Sequence, residues 1–152
     1  MIGDKAKQMV FVGADHAGFK AKNELRDFLK KENYDVTDLG TFSEEPYDYP
    51  DIAREVGEKV QEHPGAFGIL MCGSGIGVAM AANKLRGIRA VQAINEELAV
   101  IGRQHNDANV LTMGGRITDV ETMKKIAMKF LKTEFESGEE RRVRRVQKMN
   151  EM

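Results

Sequence analysis

The sequence predicts an α/β fold: a five-stranded parallel sheet with helices on both faces and an extra C-terminal helix. Two observations predict it. Short apolar runs alternate along the chain with longer runs of helical period, an order that builds right-handed crossovers and a parallel sheet. Glycines and polar residues gather where several apolar runs end, at the carboxyl ends of strands where such sheets bind ligands. The 152 residues show no internal repeat and no low-complexity linker. One domain over 1–152 is expected, with 1–8 as a leading segment.

The elements follow in order. Met9–Ala14 reads as a buried strand. Phe19 to about Glu32 reads as a helix, with Ala21, Leu25, Phe28 and Leu29 on one stripe. Asp35–Leu39 is a second strand, and Gly40–Tyr49 a loop of aromatic and acidic residues. Pro50 suits the first turn of a helix to about Glu62, with Asp51 near its positive end. Phe67–Met71 is the third strand, followed by a glycine loop and a helix to about Leu85. Ile88–Ala93 is the fourth strand, and Asn95 caps the next helix with Glu96 and Glu97 in its first turn. Asn109–Met113 is the fifth strand, closed by Gly114 and Gly115. Asp119 caps a helix with Val120, Met123, Ile126, Ala127, Phe130 and Leu131 on one face. Gly138 ends that pattern, and a strongly charged helix runs from about Glu139 to Asn150. The whole is a three-layer, Rossmann-like arrangement.

Bulk properties exclude several functions. A net charge of −1 gives no basic field for nucleic acid or an anionic membrane surface. No apolar run approaches the roughly 18 residues of a membrane span. Residues 1–8 lack the apolar core of a secretory signal. A single cysteine precludes an intrachain disulfide and fits a reducing, cytoplasmic setting.

The chemistry concentrates in Ile69–Gly77, where an apolar strand ends in Cys72 and runs into Gly73, Ser74, Gly75, Ile76 and Gly77. Backbone N–H groups in such a loop approach a ligand closely, and a helix start beside a thiol favours the thiolate. A lone cysteine ending a strand is otherwise a small hydrophobe, but packing alone needs no glycine loop beside it. The loop is not a dinucleotide fingerprint, because the third glycine comes one residue early and no acidic residue ends the following strand. It lacks the Gly-Lys-Ser/Thr of a P-loop. One Cys and three scattered His give no metal-ligand spacing, so no structural metal site is expected.

Other candidates stay open on residues alone. Asp15 and His16 read as a helix cap beside an exposed imidazole, or as contacts to a hydroxyl or phosphate. Tyr47 and Tyr49 read as loop packing, or as a wall against a sugar. Arg141 and Arg145 share a helix face and read as a phosphate clamp, as a solvated basic face, or as RNA contacts. Arg116 follows the fifth strand, on the side of Cys72. His105 and Asn106 precede that strand, at the opposite end or an edge of the sheet, so sharing a site with Cys72 would require a second subunit.

Taken together, these residues resemble the B-type ribose-5-phosphate isomerases, a family shared with galactose- and allose-6-phosphate isomerases. The resemblance rests on Gly13–Gly18, Tyr47–Asp51, Cys72–Gly77, Ala82–Lys84, Gly87–Ala90, Arg103–Val110, Gly114–Arg116 and the terminal Arg144-Arg145-Val146, and spans about residues 9–149. It implies an aldose–ketose isomerase that interconverts ribose and ribulose 5-phosphates through an enediolate, without a cofactor. Cys72 would be the base that moves the proton, Ser74 (often Thr in the family) would orient substrate, and His105 would open the furanose ring. Gly73, Gly75, Ile76 and Gly77 would hold the enediolate, as an oxyanion hole does. Asp15, His16, Tyr47, Asn106, Arg116, Arg141 and Arg145 would contact the phosphosugar. The resemblance further implies a homodimer or dimer of dimers, with His105, Asn106 and the 139–150 helix reaching a partner's site. The chain departs from the family at Glu139-Glu140-Arg141-Arg142, where Gly-Gly-Arg-His is usual, and its segment is about two residues longer. A hexose-phosphate isomerase and a non-catalytic sugar-phosphate binder are the alternatives.

Overall fold

The computed structural model describes residues 6–152; Met1–Lys5, most of the leading segment, lie outside the described residues. The strands are β1 (Met9–Ala14), β2 (Asp35–Asp38), β3 (Phe67–Cys72), β4 (Ala90–Gln92) and β5 (Val110–Gly114). The helices are α1 (Phe19–Lys31), α2 (Tyr49–Glu62), α3 (Ile76–Ala82), α4 (Glu96–Asn106), α5 (Val120–Lys132) and α6 (Glu140–Asn150). All strand pairs are parallel, in the order β2-β1-β3-β5-β4. This is the expected five-stranded sheet with a sixth, C-terminal helix.

Side-chain alternation divides the core between the two faces of the sheet. Val10, Val12, Ile69, Met71, Leu111 and Met113 pack with Leu25 and Leu29 of α1, Ala99 of α4 and Ile126 and Phe130 of α5. Phe11, Leu70, Cys72 and Val110 pack with Ile52, Val56 and Val60 of α2 and Val78 and Ala82 of α3. Covered on both faces, β3 and β5 are the nearly continuous apolar runs that mark them in the sequence.

The expected caps form. The Asn95 side chain accepts the Leu98 N–H at 2.9 Å, and Asp119 accepts the Thr122 N–H at 2.9 Å. Two boundaries differ from the expected ones by more than one residue. Helix α3 stops at Ala82, not Leu85, because the Asn83 side chain leaves the helix to pair with the backbone of Ala90, donating to its carbonyl at 3.0 Å and accepting its N–H at 2.7 Å. Strand β4 covers 90–92, not 88–93, because Ile88 closes a turn on the Leu85 carbonyl and the Arg89 N–H is held by the Asn109 side chain.

Lys22, an ionisable residue with no motif around it to mark it in the sequence, is fully buried on α1. Its ammonium bonds both carboxylate oxygens of Asp38 at 2.7 and 2.8 Å and the Thr41 carbonyl at 2.7 Å. Arg26 reaches the same carboxylate at 2.7 Å. Burial pushes the Asp38 carboxyl up, but hydrogen bonds from Lys22, the Gly40 N–H and Arg26 outweigh it and hold it below its ordinary value. The cluster ties α1 to the end of β2 and the loop after it. Among the described residues no helix is long and apolar enough to cross a membrane.

Candidate active site

The carboxyl ends of β1, β3 and β5 lie side by side at the centre of the sheet. Ala14 pairs with Met71, and Cys72 with Gly114. Past the strands the pairing continues: the Gly115 N–H donates to the Cys72 carbonyl at 2.8 Å, and the Arg116 N–H to the Gly73 carbonyl at 3.0 Å. Cys72 is therefore the last residue of a central strand, held from both sides. The thiol is a free cysteine and is buried.

The chain then reverses into the glycine loop. Gly75 has φ 80°, and a Cβ there would stand 2.8 Å from the Met113 carbonyl carbon, so both backbone and space require glycine. This turn brings the Gly75 N–H to the Cys72 sulfur at 3.2 Å and the Ile76 N–H to the Ser74 hydroxyl at 3.1 Å. The loop is anchored behind by Gln92, whose amide donates to the Ser74 carbonyl at 2.8 Å, and by Thr112, whose hydroxyl donates to the Gly75 carbonyl at 2.8 Å.

An open cleft of about 590 Å³ lies over this loop, lined by Asp15, Cys72, Gly73, Ser74, Ile76, Gly77 and Arg116 among the expected residues. Asp15 is buried, and its carboxylate accepts the N–H groups of Ala17 at 2.9 Å and Gly18 at 3.2 Å at the start of α1. The Arg116 side chain lies against Gly73, within 3.4 Å of where a Cβ would stand. His16 accepts the Tyr47 N–H at Nδ1, 3.2 Å, which fastens the loop before α2. The Tyr47 side chain packs by the α2–α3 core and reaches Glu55 at 3.5 Å, while Tyr49 lines the cleft. Gly77 makes room for that ring: a Cβ there would stand 2.7 Å from it. Met80 and Ile117 complete the wall. The sequence signal for Thr112 and Gln92 was a polar residue inside each of two apolar strands.

The remaining expected residues are not in this cleft. His105 and Asn106 end α4, before β5 begins, so roughly 13 Å of strand separates their level from Gly114 and Cys72. Their turn is held firmly. Asp107, at φ 48°, receives Arg89 at 3.3 Å and Arg103 at 2.8 Å, and the Arg103 guanidinium lies over the rings of Phe67 and Phe130. Desolvation lowers the pKa of the half-buried Arg89 guanidinium from its ordinary value, against the pull of Asp107. Arg141 and Arg145 are exposed on α6, which packs on α4. Arg142 turns inward to pair with Glu136, and Arg141 lies 3.5 Å from Glu139. One chain thus presents two separate sets: Cys72 with Asp15 and Arg116, and His105 with Asn106 beside the arginine helix.

Comparison with known proteins agrees with this architecture. The profile of the family described as Ribose/Galactose Isomerase matches residues 10–149. A probable ribose-5-phosphate isomerase B from Mycoplasma genitalium is 41% identical over 143 residues, covering 92% of each chain. Ribose-5-phosphate isomerase B from Escherichia coli is 42% identical over 132 residues, covering 87% of this chain and 88% of that one. The solved structure of ribose-5-phosphate isomerase B from Clostridium thermocellum superposes with a TM-score of 0.91 at 42% identity, covering 95% of this chain and 96% of that one. With its sheet order, its glycine loop after Cys72 and a match across residues 10–149, this chain belongs to the ribose/galactose isomerase family.

Proposed function

We propose that this chain is a B-type ribose-5-phosphate isomerase, interconverting ribose 5-phosphate and ribulose 5-phosphate, and that it acts in the cytoplasm as a single-domain subunit of a homodimer. Relatives of that activity at about 40% identity over nearly the whole chain support the reading. The observation that carries it is the Cys72 thiol, held by the Gly75 N–H at the floor of the cleft.

In the open-chain aldose the Cys72 thiolate takes the proton from C2. The C2–H electron pair becomes the C1–C2 double bond, and the carbonyl oxygen on C1 becomes the enediolate oxyanion. Backbone N–H groups of Gly73–Gly77 hold that oxyanion. The C2 hydroxyl passes its proton to the oxyanion on C1, and the thiol returns its proton to C1 as the C2 oxygen closes to the ketone. The Ser74 hydroxyl orients the reacting carbons. Asp15, His16 and Asn106 contact sugar hydroxyls, with Tyr47 holding the loop beside them. Arg116, Arg141 and Arg145 hold the phosphate, and His105 opens the furanose ring.

His105, Asn106, Arg141 and Arg145 come from a partner subunit in this reading. The level difference along β5 supports that, as do the exposed apolar side chains at the cleft: Tyr49 at 41%, Ile76 at 46%, Met80 at 67% and Ile117 at 59%. The test is turnover of ribose 5-phosphate in deuterated water with a chelator present. Ketose product carrying protein-dependent deuterium is expected. Neither turnover nor exchange with ribose 5-phosphate, with allose and galactose 6-phosphates also inert, would refute the assignment. Turnover of a six-carbon substrate alone would move it to a hexose-phosphate isomerase.

A further inference from the structure

We infer that Gln92 and Thr112 are positioning residues for Cys72 and Ser74: by hydrogen bonding the Ser74 and Gly75 carbonyls from behind the glycine loop, they aim the N–H groups of the same two peptides at the thiol and the hydroxyl. The inference rests on the isomerase reading for its kinetic consequence but not for its geometry.

The geometry follows from peptide planarity. In a trans peptide the C=O and the next N–H point in opposite directions and rotate as one plate. The Ser74 carbonyl and the Gly75 N–H share a plate; Gln92 holds the first at 2.8 Å, and the second meets the Cys72 sulfur at 3.2 Å. The Gly75 carbonyl and the Ile76 N–H share the next; Thr112 holds the first at 2.8 Å, and the second meets the Ser74 hydroxyl at 3.1 Å. The two donors are register partners on β4 and β5, so they stand side by side on one sheet face. Thr112 is fully buried, and its hydroxyl has this carbonyl as its acceptor. Gly75, at φ 80°, lacks a side chain to fix its plates, so their angle is set by what grips the carbonyls.

The test uses Thr112→Val, which keeps shape and removes the donor, Thr112→Ser, which restores it, and Gln92→Leu at a half-buried position that tolerates an apolar side chain. Each is assayed for isomerisation and for the rate of Cys72 alkylation by iodoacetamide. For Thr112→Val, loss of one oriented hydrogen bond predicts a fall in kcat of roughly tenfold with KM within about twofold. Alkylation stays close to the parent rate, because the plate that Thr112 grips carries the Ile76 N–H to the Ser74 hydroxyl and not the donor to the thiol. Gln92→Leu lowers kcat likewise and slows alkylation several-fold, because the plate it holds carries the Gly75 N–H to the Cys72 sulfur, and Thr112→Ser returns kcat toward the parent. Faster alkylation would mean that the loop had merely loosened and exposed the thiol, and would overturn the inference. So would a rise in KM with kcat unchanged, or failure of Thr112→Ser to restore. If the parent isomerises no phosphosugar, the functional reading fails, while the alkylation rates still decide this one.

Discussion

Gly114→Ala puts the proposed chemistry under a defined strain. Gly114 ends β5 opposite Cys72, and the glycine loop lies directly over it. A Cβ at 114 would stand 2.5 Å from the Ser74 carbonyl carbon, 2.6 Å from its oxygen and 2.8 Å from the Gly73 oxygen. All three are backbone atoms, so no flexible side-chain end can yield. Ordinary contact begins at 3.4 Å, so the loop must retreat by the difference from 2.5 Å, 0.9 Å. A displacement of that size between reacting groups costs about 100-fold in rate, equivalent to about 2.7 kcal/mol of transition-state stabilisation. The accompanying overpacking costs about 1–3 kcal/mol of stability, small enough for the fold to survive. Gly138→Ala is the control, because a Cβ there meets nothing within 4 Å. The assay is kcat for ribose 5-phosphate, alongside thermal melting by circular dichroism. The expected result is a folded Gly114→Ala variant with kcat near one-hundredth of the parent, and Gly138→Ala close to the parent. A folded Gly114→Ala variant within threefold of the parent would show that loop placement does not limit catalysis.

Further outcomes concern assembly and stability. Cys72→Ala and His105→Ala are each expected to be folded and inactive, yet mixed dimers should regain about one quarter of parental activity, since half are heterodimers with one complete site of two. No recovery in verified mixed dimers would place both residues' work within one chain. Lys22→Met should lower unfolding free energy by about 3 kcal/mol, the low end for breaking a buried pair, because Asp38 keeps Arg26 and the Gly40 N–H. A change under about 1 kcal/mol in urea unfolding would refute the buried pair's role. The Asp38 carboxyl is held below its ordinary 3.8, so its contribution is complete above that pH and fades as pH falls through the lower folded-state value. The stability gap between parent and Asp38→Asn is therefore expected to be full near about pH 6 and to close in strong acid. A gap that persists unchanged there would contradict the depressed carboxyl.

Much of this was readable in the chain, for local reasons. Strand β1 runs from Met9 to Ala14 as its apolar run does, and Asn95 and Asp119 cap the helices that they precede. These features depend on a few adjacent residues. Element boundaries shift from their local pattern where a distant partner intervenes. Asn83 abandons its helix for Ala90, and Asn109 takes the Arg89 N–H away from β4. At the site, Tyr47 and Tyr49 look equivalent in sequence, two residues apart before a helix. Only the space left by Gly77 distinguishes the ring that enters the cleft.

The sequence by itself determined the fold class, the strand that ends in Cys72, and the loop of alternating glycines after it, because periodicity and backbone freedom are properties of the local chain. It also separated His105 from Cys72 by placing them before and after sheet strands. Tertiary structure alone decided which groups face one another. It buried Lys22 against Asp38 and aimed the Gly75 N–H at the thiol. It also set Gln92 and Thr112 behind the loop they grip. Those arrangements depend on strand order β2-β1-β3-β5-β4. A hydrogen bond requires its two groups within about 3 Å of each other, and no spacing along one chain states which distant segments will be brought so close.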